Sequence, residues 1–85
     1  MKTFQYKITE EVGIHARPAG LLTKAAKECG SKVTISSNGK SADATKLMAV
    51  MSLGVKCFDE VTVTVEGENE EEAAAQMEKF FKENL

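Results

Sequence analysis

The sequence predicts an α+β fold in the order β-α-β-β-α-β-α, an antiparallel sheet with its helices on one face. Three observations predict it. Strict polar/apolar alternation at Phe4-Tyr6-Ile8, Val33-Ile35 and Val61-Val63-Val65 reads as half-buried strands. Apolar residues at helical spacing fill the segments after residue 16 and after residue 69. An Asn38-Gly39 pair joins two strands directly, as a two-residue hairpin does. Runs of strands and helices that do not alternate one for one favour an α+β packing. At 85 residues, with 42% hydrophobic and 28% charged side chains, the chain is expected to form one small domain, 1–85. A core of that size leaves little room for an enclosed pocket, so a surface site is the expectation.

The first strand runs through Phe4, Tyr6 and Ile8 and delivers the chain to a turn at 10–13. The first helix is predicted from about Ala16 to Cys29. Pro18 can open it, because its missing N–H would be unpaired there anyway, and Gly30 ends it. Pro18, Leu22, Ala25, Ala26 and Cys29 share one face, while Arg17, Gly20, Lys24 and Lys27 share another. Lys32 to Ile35 and about Lys40 to Asp43 form the hairpin strands. Leu47 to Leu53 reads as a short helix stopped by Gly54. Val50 and Leu53 are expected to face the core, which leaves Leu47, Met48 and Met51 partly exposed. Either the core wraps further round this helix or these three form a protein-binding patch, for which methionine is well suited. After the strand at Val61–Val65, Gly67 breaks the chain. Asn69 is expected to N-cap the last helix, with Glu72 in the capping-box position. Ala73, Ala74, Met77, Phe80 and Phe81 form that helix's apolar stripe. Glu70–Glu72 and the lysines Lys79 and Lys82 suit its two charged ends.

Several functions are excluded on composition. A net charge of −2 argues against a nucleic-acid binder. No apolar run reaches the length of a membrane span, and the first residues lack a signal-peptide core, so a cytoplasmic protein without membrane insertion is expected. Cys29 and Cys57 have neither CxxC spacing nor a second histidine near them, so no metal is expected, and both are read as reduced thiols.

The functional interest lies in Gly13-Ile14-His15-Ala16-Arg17-Pro18. His15 is the single histidine of the chain. It stands with Arg17 at the amino end of a predicted helix, where free N–H groups and the macrodipole favour an anion. An imidazole beside a guanidinium there is suited to holding a phosphoryl group. An ordinary surface histidine also fits this pattern, and spacing alone does not choose between the two.

Gly13-Ile14-His15-Ala16-Arg17-Pro18-Ala19 resembles the active-site signature of HPr, the histidine-containing phosphocarrier of the bacterial sugar phosphotransferase system. The likeness extends to Ser37-Asn38-Gly39-Lys40-Ser41 and to Leu47-Met48-Ala49-Val50-Met51-Ser52-Leu53-Gly54, each at the family's distance from the histidine. The resemblance implies an open-faced β-sandwich with strand order 1-4-2-3. It implies a carrier that is not an enzyme, accepting phosphate on His15 Nδ1 from enzyme I and passing it to enzyme IIA domains of sugar permeases. Arg17 would stabilise the phosphoryl oxygens, and the Ala16 and Arg17 backbone N–H groups would add donors. Gly20, Lys24, Lys27, Leu47, Met48 and Met51 would form the partner surface. No cofactor is implied, and a monomer is expected.

One position departs from the family. Many Gram-positive relatives carry a regulatory serine where this chain has Lys46, so no phosphosite is expected at Lys46. Thr45 is expected to cap the short helix instead. A phosphocarrier of the nitrogen-related branch is an alternative reading. A regulatory HPr-like module lacking the histidine is another, and His15 argues against it. An acyl-carrier-like module fails for want of an Asp-Ser-Leu attachment site.

Overall fold

The computed structural model describes residues 1–9 and 16–85. The turn at 10–13 and His15 lie outside the described residues. Seven elements follow one another: β1 (Lys2–Lys7), α1 (Ala16–Glu28), β2 (Lys32–Ser37), β3 (Lys40–Asp43), α2 (Leu47–Met51), β4 (Glu60–Glu66) and α3 (Glu70–Asn84). The sheet is antiparallel with order β1-β4-β2-β3.

The alternation that identified the strands sorts their residues by face. Val33, Ile35, Val61, Val63 and Val65 are buried at 0–1% exposure. Thr34, Ser36, Thr62 and Thr64, which alternate with them, are only half-buried. One face is therefore packed against the helices and the other is open, as in an open-faced sandwich. Register places Phe4 beside Val63 and Val63 beside Ile35, so the apolar row crosses three strands. The hairpin turns at Asn38 and Gly39, with φ of 55° and 77°. Both central residues thus have the positive φ that matches the twist of the flanking strands.

Burial on α1 is wider than the predicted stripe. Pro18, Leu22, Ala26 and Cys29 are buried as expected, and so are Ala19 and Thr23. Thr23 tolerates burial because its hydroxyl donates to the Ala19 carbonyl at 2.9 Å. Pro18 is the third residue of α1, still within the first turn, where its missing N–H leaves no bond unmade. On α3, Ala73, Met77 and Phe81 are buried, with Ala74 and Phe80 packed partly against the core.

Two capping expectations are corrected. Asn69 is the N-cap residue of α3, but its side chain makes no cap bond there. Its Nδ2 instead donates to the Cys29 carbonyl at 2.7 Å, and its Oδ1 accepts from the Ser31 hydroxyl. The side chain that was expected to open α3 closes α1, because the two helix ends meet: the orphan Cys29 carbonyl binds its Nδ2, and the Ser31 hydroxyl occupies the oxygen that a cap bond would use. Likewise Thr45 does not cap α2. Lys46 occupies the N-cap position, with no side-chain cap, and the Thr45 hydroxyl donates to Asp43 Oδ1 at 2.6 Å.

Candidate functional site

Of the signature residues, Ala16, Arg17 and Pro18 are placed, as the first three residues of α1. Arg17 is exposed, and no ion pair among the described residues uses it. The first turn holds no acidic side chain. A cation where the helix dipole is already positive is locally unfavourable unless an anion joins it. Among the described residues, the first turn of α1 thus offers no negative charge of its own.

Gly20, Lys27, Leu47 and Met48 come together. They line an open depression of about 530 Å³ between α1 and α2, together with Thr23, Thr45 and Lys46. Lys24 borders a neighbouring depression over Gly20, Thr23, Lys27 and Glu28. Leu47 and Met48 are 39% and 75% exposed, so α2 presents apolar side chains to solvent beside the lysines. Met51 is different: it is half-buried, packs against the core and does not line the depression. Val50 and Leu53 face inward, at 0% and 4% exposure.

Gly20 lines both depressions. A β-carbon at this position would meet nothing within 4 Å. Glycine in a helix interior costs roughly 1 kcal/mol relative to alanine, and among the described residues no packing constraint requires it.

Sequence reasoning missed Thr23, Thr45 and Lys46 as lining residues. The first was hidden because a helical wheel places Thr23 near the margin of the buried face. The other two belong to the connection before α2, and only the packing of α2 against α1 turns that connection toward Gly20.

The comparisons with known proteins agree with this geometry. Residues 2–83 match the family model described as the PTS HPr component phosphorylation site. A histidine-containing phosphocarrier protein of Mycoplasma superposes with a TM-score of 0.91, at 32% identity over 96% of this chain and 93% of that one. An HPr phosphocarrier of Bacillus anthracis str. Ames gives a TM-score of 0.87, at 28% identity over 94% and 95% of the two chains. Crh of Bacillus subtilis, a catabolite-repression relative solved as a domain-swapped dimer, gives a TM-score of 0.77 at 32% identity over 100% and 98%. Signature, sheet order and superposition converge, and the chain belongs to the HPr family of phosphocarriers of the bacterial phosphotransferase system.

Proposed function

We propose that this protein carries a phosphoryl group on Nδ1 of His15, taking it from a phosphohistidine of enzyme I and giving it to enzyme IIA domains of sugar permeases. The observation that carries the reading is the family match across His15 joined to the start of α1, where Arg17 is exposed and no carboxylate among the described residues pairs with it. In each transfer one N–P bond breaks as another forms, and the donor imidazole leaves as the neutral base. A neutral imidazole suits both directions, because histidine's ordinary pKa of about 6.5 leaves the ring largely unprotonated at neutral pH. Arg17 would neutralise charge on the phosphoryl oxygens in a loose transition state, and the Ala16 and Arg17 N–H groups would add donors. Both partners would dock over the depression between α1 and α2, on Gly20, Lys24, Lys27, Leu47, Met48 and the neighbouring Met51.

The regulatory branch is read as absent or altered. Lys46 has no hydroxyl, and Thr45's is half-buried and engaged with Asp43. The working form is read as a cytoplasmic monomer. No helix among the described residues is long and apolar enough to cross a membrane.

Purified enzyme I with labelled phosphoenolpyruvate tests the mechanism. The wild-type chain should take an acid-labile phosphate, and folded His15→Ala should take none. Labelling of His15→Ala at the wild-type level would remove His15 from the role.

A further inference from the structure

Phe58 combines two features that no other apolar residue among the described residues combines. Its ring is 70% exposed, and its φ is 71°. A bulky residue enters that left-handed region only when its surroundings impose it. Here the surroundings are the end of β1. The Phe58 N–H donates to the Ile8 carbonyl at 2.7 Å, and the Ile8 N–H donates to the Asp59 carbonyl at 2.9 Å. Asp59 closes the turn on its other side, its Oδ2 accepting from the Lys56 N–H at 3.0 Å. The backbone is held on both flanks while the ring is left outside. The Lys7 ammonium stands 5.9 Å from the ring centroid, near the limit for a cation–π contact. The folded chain therefore holds an unfavourable backbone conformation without burying the side chain that makes it unfavourable.

The location gives this a use. Ile8 and Thr9 lead directly into residues 10–15, and Thr9 is six residues from His15 along the chain. The Thr9 hydroxyl donates to the Leu85 carbonyl at 2.9 Å, so the end of α3 lies here too. At the far end, Asn69 joins the start of α3 to the end of α1. The end of α1 and the start of α3 therefore meet away from β1's exit, and only residues 10–15 separate that exit and Phe58's backbone partner Ile8 from the first turn of α1.

We infer that Phe58 is a docking anchor for the phosphoryl donor, an inference that rests on the function proposed above. The partner surface that fits is an apolar pocket with a carboxylate at its rim. The pocket would close over the exposed ring, and the carboxylate would meet Lys7, which already stands beside it. Aromatic side chains of this kind carry a large share of interface energy when a partner desolvates them.

Phe58→Gly separates docking from structure, because glycine accepts φ of 71° freely. Phosphoryl transfer from enzyme I is measured as a function of carrier concentration, beside thermal unfolding of the same variant. Docking requires opposite effects: Tm should rise, while half-saturation should move to roughly fivefold higher concentration or more with the maximal rate unchanged. Phe58→Leu, which keeps an apolar side chain, should recover part of the affinity. Unchanged half-saturation in Phe58→Gly would overturn the inference, whatever its Tm. If the unmodified chain takes no label, the phosphocarrier reading itself fails, and this one with it.

Discussion

Asp43 shows how one carboxylate organises the entry to α2. Its Oδ1 accepts from the Thr45 hydroxyl at 2.6 Å and from the Thr45 N–H at 2.9 Å. These bonds, the hydroxyl first, hold its pKa below the ordinary value of 3.8, helped by Lys46 and Lys32 and opposed by burial. A carboxylate whose folded pKa is depressed contributes stability above its unfolded pKa and loses it as pH falls through the folded value. Asp43→Ala should therefore lower Tm at neutral pH. The gap from wild type should narrow as pH drops below about 4. Thermal unfolding from pH 7 to pH 2 checks this, and a gap constant across that range would refute it. The strand ending at Asp43 was legible in the sequence. That its carboxylate would hold Thr45 away from capping was not, because a capping hydroxyl must accept from a helix N–H, and only the turn geometry decides whether it faces those groups or the Asp43 carboxylate.

At the scale of the element, α2 is the least supported piece of the fold. It has five residues, and its N-cap is a lysine with no side-chain bond to the open N–H groups. A cation also sits badly against the positive end of a helix. Lys46→Ser supplies the missing acceptor and removes the charge, and should stabilise the chain by about 1 kcal/mol. For a domain this small that corresponds to roughly 4–8 °C in Tm. Differential scanning calorimetry would show it, and a lower Tm would mean that Lys46 already serves the fold. The helices themselves could be read from the chain: α1 from Pro18 and Gly30, α2 from Gly54, α3 from its apolar stripe. Asn69 was misjudged because a cap is chosen by whichever backbone group lies within reach. Here that group is the Cys29 carbonyl, 40 positions away in sequence.

The molecule as a whole is held by the joint of α3 with β1. Phe81 is fully buried, with ring centroids of Phe4, Tyr6 and Phe80 at 5.8, 5.5 and 6.1 Å in edge-to-face arrangements. Phe81→Ala should cost about 3–5 kcal/mol, a large part of the total for a small domain. Urea unfolding would register it as a lower midpoint, and a loss under ~1 kcal/mol would mean that the joint repacks around the gap. The charges are also divided at this scale. Arg17 opens α1, and Lys27 and Lys46 border the depression between α1 and α2. The acidic first turn of α3 lies by the other end of α1 and is partly engaged by the Met1 amino group and Lys2. A net charge of −2 thus conceals, among the described residues, a separation of the lysines around the depression from the acidic start of α3.

By itself the sequence determined the four strands, the three helices and the hairpin, and through its signature it pointed to the family. These depend on side-chain period, turn chemistry and local spacing, all properties of neighbouring residues. Only the tertiary structure decided that α2 would lie against α1 to open a depression over Gly20, that Asn69 would serve the helix before it, and that Phe58 would stay outside in a left-handed turn. Each of those outcomes depends on which distant groups arrive within a few ångströms of one another. Packing sets that, and local pattern does not encode it.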